Sequence, residues 1–138
     1  MFDHCMYFNT SALARRLERE WATAFKPFGL APPQAFMLRA VLQMPGALQS
    51  ELAEALAITR PTATRALDGL VQKRLVVRRA TGEDGRQTAI FPTAKAESIG
   101  DALNAASADV TSRLKRLFGA RRFKDVVDAV RDARHDLG

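Results

Sequence analysis

From Ile58 to Arg86 the chain reads ITRPTATRALDGLVQKRLVVRRATGEDGR, and the residues in it able to do chemistry are almost all basic or hydroxylic. Between Thr59 and Gln87 stand seven arginines and lysines (Arg60, Arg65, Lys73, Arg74, Arg78, Arg79, Arg86) against three acids (Asp68, Glu83, Asp84). Four units of the chain's formal +6 therefore lie in this one window. Guanidinium and ammonium groups neutralise phosphates, and an arginine fork can also pair with both acceptors of a guanine edge. Threonine hydroxyls and methyls suit phosphate or thymine. That is recognition chemistry for a polyanion. Catalytic chemistry has no comparable signal: His4 and His135 sit near opposite ends, and there is no G-x-S-x-G, P-loop or Gly-rich dinucleotide turn. Two histidines and one cysteine are too few for a closed structural zinc site. No catalytic residue, metal or cofactor is expected, and the chain does not read as an enzyme.

Three elements must position this basic set. Thr59 is placed to cap a helix whose first turn accepts Pro61, because the missing N–H has no intrahelical partner there. Along that helix, which runs to about Lys73, Ala63, Leu67 and Leu70 share one face and would pack inward. Pro61, Arg65, Asp68 and Gln72 lie opposite, with Thr62 and Thr64 on the flanks. Leu75 to Arg79 reads as a short strand, ATGEDGRQ as a loop, and TAIF as a return strand ended by Pro92. A short helix from about Gln49 to Ala57 precedes the basic one, giving two helices joined by a tight turn, the second fit for a major groove. Arg65 is placed to pair with guanine O6 and N7. Arg86 is placed for a minor groove, with Asp84 two residues earlier to hold its stem.

The rest of the chain reads as long helices. Leu13, Leu17, Trp21 and Phe25 recur every four residues from about Met6 to Phe25. Pro32-Pro33 opens a helix that stops at Pro45-Gly46. Thr93 caps a helix to about Phe118, with Ile99, Leu103, Ala106, Val110, Leu114 and Leu117 as one apolar stripe. A last helix follows Gly119, with Phe123, Val126, Val127, Val130 and Leu137 inward. A helix of about 25 residues is roughly 38 Å long, so its stripe wants a partner beyond this small body. A second copy of the chain is the simplest source. The composition, 47% hydrophobic and 26% charged over 138 residues, suits one packed domain. No uncharged apolar run of about 18 residues offers a membrane span. MFDHCMYFNT does not read as a signal peptide, and the single Cys5 fits a cytoplasmic setting.

In LAEALAITRPTATRALDGLVQKRLVVRR, followed by the Asp-x-Arg of Asp84 and Arg86, the chain resembles the MarR family of winged helix-turn-helix regulators. Nearly the whole chain takes part, and Arg78, Asp84, Arg86 and Thr93 fall at the family's offsets. The resemblance implies a mainly α fold with a small β-wing. It implies a lobe over 30–95, and dimerisation helices over 1–29 and 96–138 of a single domain spanning 1–138. It also implies a homodimer on a pseudo-palindromic DNA operator, acting as a repressor and released by a small aromatic or phenolic effector or by cysteine oxidation. The DNA-binding set is then Thr59, Arg60, Pro61, Thr62, Thr64, Arg65, Gln72, Arg78, Arg79, Asp84 and Arg86. Arg74 stands where the family has Gly, a position that wants φ > 0. Gly85 replaces an arginine of the wing, and Ala96 a glycine after Thr93. Gly69, in mid-helix, points to close packing or close approach of DNA. Trp21, Phe25 and Phe36 are candidates for an aromatic effector pocket and otherwise belong to the core. Cys5 is a candidate redox sensor and otherwise incidental, since Asn9 and Arg19 stand where peroxide sensors of the family carry tyrosines. The basic cluster at Arg113, Lys115, Arg116, Arg121, Arg122 and Lys124 suits a solvated face or phosphate contact. The rival from another class is a winged-helix module that binds protein and leaves duplexes alone.

Overall fold

A computed structural model describes all 138 residues. Six helices and one hairpin follow in the order α1 (Met6–Phe25), α2 (Pro32–Gln43), α3 (Gln49–Ala55), α4 (Arg60–Gln72), β1 (Val76–Thr81), β2 (Gln87–Pro92), α5 (Ala94–Phe118) and α6 (Ala120–Asp136). A 3₁₀ turn, Lys26–Phe28, closes α1. The core is built where α2, α3, α4 and the hairpin meet the base of α1 and the first half of α5. Phe25, Met37, Leu38, Leu52, Leu67, Leu70, Ile90 and Leu103 are wholly buried there. No helix is long and apolar enough to cross a membrane.

The caps explain why the elements start where they do. Thr59 Oγ1 accepts from the Thr62 amide at the head of α4, and Thr93 Oγ1 from the Ala96 amide at the head of α5. Thr93 also donates to the Arg74 carbonyl at 2.7 Å, so one side chain ties the end of α4 to the start of α5. The end of α4 is a left-handed cap. Arg74 has φ 57°, its amide donates to Val71 O, and the Leu75 amide reaches back to Leu70 O. The same pair of bonds closes α3, with Ala57 at φ 55° and the Ile58 amide on Ala53 O.

Three expectations need correction. The first strand begins at Val76 and runs to Thr81, past the expected Leu75–Arg79, because Leu75 is used up in the α4 cap and pairing extends to Thr81↔Gln87. The last helix has no buried residue: Val126, Val127, Val130 and Leu137 are exposed. Leu117, at the end of the α5 stripe, is exposed too. Only α5 lies alongside α6 within one chain, so its apolar face has nothing to turn inward upon. The stripe of α1 fades in the same way, from buried Phe25 through half-buried Trp21 and Leu17 to exposed Leu13.

Gly69 lies against the Gln34 side chain of α2. A Cβ there would collide with the side-chain amide of Gln34, whose Oε1 accepts from the Ala31 amide and caps α2.

Candidate nucleic-acid interface

Helix α4 turns Ala63, Ala66, Leu67 and Leu70 into the core and leaves Arg60, Pro61, Thr64, Arg65, Asp68 and Gln72 exposed, with Thr62 half-buried. The exposed side chains are tied to one another. The Arg65 guanidinium donates to Thr62 Oγ1 at 3.2 Å, and Thr62 Oγ1 also accepts from Thr59 Oγ1 at 3.0 Å. Thr64 Oγ1 donates to Arg60 O and accepts from Gln49 Nε2 at 2.8 Å, which links the start of α4 to the start of α3. The first turns of α4 thus present a fixed row of hydroxyls and guanidinium groups. Gln72 lies at the far end of the 13-residue helix, about 18 Å from Arg60 along its axis.

The hairpin supplies the second part. Asp84 and Arg86 form an ion pair at 2.9 Å, and the Arg86 amide donates to Asp84 Oδ1, so the tip is closed by the acid expected to hold that arginine. The Arg86 side chain is 85% exposed, the projection an arm entering a groove needs. Arg79 lies over the Phe91 ring, 4.6 Å from its centroid, so its stem is anchored on β2 while its charge stays in water. Arg78 has a different place from its neighbours. Its guanidinium pairs with Asp68 at 2.7 Å and leans on the Thr64 carbonyl, and its side chain is 30% exposed.

Between these parts runs a polar cleft of about 460 Å³, lined by Leu48, Gln49, Ser50, Arg60, Thr64, Arg86, Gln87 and Thr88. It brings Arg60 and Arg86, 26 positions apart in sequence, to one opening. Gln49, Ser50 and Thr88 escaped the sequence reading. Their types are common at helix starts and in strands, and only the fold places them beside the basic residues.

A second cleft, also about 460 Å³, is apolar and lies between α1, α2 and the turn before α4. Trp21, Leu17, Pro33, Phe36, Leu56, Ile58 and Thr62 are among its walls. Trp21 and Phe36 reach it. Phe25 does not: it is wholly buried behind Phe36, their rings edge-on with centroids 6.0 Å apart. Behind the cleft, Ser107 accepts from Trp21 Nε1 and from the Arg39 guanidinium, both at 3.0 Å, and Arg39 Nε donates to Asn104 Oδ1 at 2.7 Å. Arg39 also stacks on Phe36 at 5.0 Å. It has no carboxylate partner, and burial lowers its pKa from the usual arginine value. Cys5 is exposed at the cap of α1 and forms no disulfide.

A helix-turn-helix followed by a two-stranded wing defines a winged helix-turn-helix protein. Residues 28–87 match the model of the MarR family. The fold agrees over nearly the full chain with solved structures of that kind. M. tuberculosis transcriptional regulator MOSR, solved in complex with DNA, shares 28% identity at TM-score 0.77, over 96% of this chain and 98% of that one. MepR of S. aureus, also solved with DNA, shares 17% at TM-score 0.84, over 99% and 100%. A MarR transcriptional regulator from Methanosarcina mazei shares 21% at TM-score 0.80, over 95% and 94%. The chain is thus similar to MarR-family transcriptional regulators, in sequence over residues 28–87 and in fold over nearly its whole length.

Proposed function

We propose that this chain is a transcriptional regulator of the MarR family, acting as a homodimeric repressor on a pseudo-palindromic DNA operator, with α4 of each copy in a major groove and each hairpin in a flanking minor groove. The observation that carries the reading is the polar cleft between α4 and the wing, where Arg60, Thr64 and Arg86 share one opening beside the exposed Arg65. Arg65 then reads a base edge, Arg86 enters the minor groove, and Arg60 and Arg79 meet phosphates. The DNA-bound relatives support the choice of partner. The apolar faces left open on α1, α5 and α6 support self-association, with residues 1–29 and 96–138 as the dimerisation helices and 30–95 as the DNA lobe. The Trp21–Phe36 cleft is the place for a small aromatic or phenolic effector. Its wall includes Thr62, which holds Arg65, so an occupant bears directly on the reading face.

The test is selection of bound duplexes from random DNA, followed by titration of wild type, Arg65→Ala and Arg86→Ala. Arg65→Ala should cost about 1–3 kcal/mol and relax preference at one position of each half-site. Arg86→Ala should weaken binding to many duplexes and lose preference for narrow, A·T-rich flanks. Wild-type binding that ignores salt, or no enrichment of any duplex, refutes the proposal in favour of a protein-binding module.

A further inference from the structure

Asp68 is an acid in the middle of a face otherwise made of cations and hydroxyls. It has two arginines in reach of its element: Arg65, one turn earlier on α4, and Arg78 across on β1. The structure settles the choice. Arg65 donates to Thr62, and Asp68 pairs with Arg78 at 2.7 Å. We propose that Asp68 is an affinity-setting residue, an internal carboxylate that competes with DNA phosphate for Arg78. The inference rests on the DNA-binding reading above.

A pair between an element and a wing can be either a brace or a competitor, and the surroundings favour the second. The position of β1 does not depend on the pair. Leu75 and Val76 are buried at its start, Arg78 is in register opposite Ile90, and the left-handed cap at Arg74 and the Thr93 bond fix its junction with α4. Both partners are reachable by water, Asp68 more than half exposed and Arg78 almost a third. Ion pairs in such settings contribute little to folding. Their effect on a polyanion is larger. A carboxylate on the binding face cancels one cation for each subunit, and Arg78 must leave it before it can neutralise a phosphate. Among the arginines of this face, Arg60, Arg65 and Arg79 have no carboxylate partner, and Arg86 is paired at the projecting tip with Asp84. Arg78 is therefore the cation held in reserve under α4.

The experiment is titration of the selected operator at several salt concentrations with wild type, Asp68→Asn, Arg78→Gln and the double variant. Asn keeps the shape of Asp68, and thermal unfolding of each protein reports on the fold. Asp68→Asn should bind roughly threefold to thirtyfold tighter per dimer, since the two Arg78 guanidinium groups that Asp68 keeps from phosphate in wild type become free to meet it. Its log–log salt slope should steepen by about 2, for one added phosphate contact in each subunit. The gain should shrink when Arg78→Gln is present, because the released cation is gone. Binding by Asp68→Asn that equals or falls below wild type overturns the proposal, and so does a gain that persists undiminished in the Arg78→Gln background. A wild type that binds no duplex defeats the parent reading instead, and the two failures are told apart by that first titration.

Discussion

Arg74→Gly should make the protein more stable without altering its hold on DNA. Arg74 sits at φ 57°, in the left-handed region, where it closes α4 by donating its amide to Val71 O. An L-residue with a Cβ loses roughly 1–2 kcal/mol in that conformation, and glycine does not. Against the gain stands the looser unfolded chain that glycine produces, worth about 0.4–1 kcal/mol. The net expectation is a gain of about 0.5–1 kcal/mol. With an unfolding entropy of about 2.1 cal/mol/K per residue over 138 residues, the midpoint should rise by about 2–3 °C. The Arg74 side chain makes no hydrogen bond or ion pair that would be forfeited, and its carbonyl, which Thr93 uses, survives the change. Thermal unfolding followed by circular dichroism, at one fixed protein concentration, measures the shift. Arg74→Ala is the control, since it removes the charge and keeps the Cβ. If alanine raises the midpoint as much as glycine, the gain comes from the side chain and the argument from backbone strain is wrong. Ala57→Gly, at φ 55° in the turn before α4, should behave as Arg74→Gly does.

Ser107→Ala should cost about 1–2 kcal/mol, because Trp21 Nε1 and the Arg39 guanidinium lose their shared acceptor in a half-buried place; denaturant unfolding, read by the fluorescence of the single tryptophan, checks it. Val127→Asp should weaken self-association by putting a charge on the open apolar face of α6, and sedimentation of a wild type that is never larger than a monomer would remove the reason for expecting this. The carboxyl of Asp128 is held below its usual pKa, first by its hydrogen bond with Lys124 and then by the nearby charges of Lys124 and Arg131. A depressed acid stabilises the fold above its unfolded value and loses that contribution as pH falls through the folded one. Helicity should therefore decline on acidification below the ordinary carboxylate range, and Asp128→Asn should flatten the part of that decline due to α6.

The helices were legible wherever a cap or a breaker accompanied the pattern. Thr59, Pro61 and Thr93 marked their elements, and the φ wanted at position 74 could be named in advance although an arginine occupies it. The end of α3 was less visible. It closes two residues before the expected Ala57 through a cap that uses Ala57 itself, and alanine, a strong helix former, signals no stop. For α6 the apolar pattern was real, but periodicity reports only that a face is apolar and not whether the same chain covers it. Phe25 and Phe36 differ for a similar reason: both are aromatic, and only the packing of α1 on α2 decides which is interior and which lines the cleft. The Trp21–Ser107–Arg39–Asn104 network had no signal at all, because it joins residues that are 65 to 86 positions apart.

The proposed DNA face would meet a duplex with side chains that are already held. Five of its polar side chains already have an internal partner: Arg65 with Thr62, Thr64 with Gln49, Arg78 with Asp68, Arg86 with Asp84, and Arg79 on Phe91. These contacts are mostly exposed, so each is weak and can be traded for a phosphate or base edge at little cost. They nevertheless restrict rotamers before binding, which lowers the ordering entropy that long arginine side chains would otherwise lose in the complex. Asp68 marks where this arrangement changes character. A hydroxyl or an aromatic ring orients a cation and leaves its charge available, whereas a carboxylate orients it and cancels it. The balance between the two kinds of partner, more than the number of arginines, should therefore set affinity on this face.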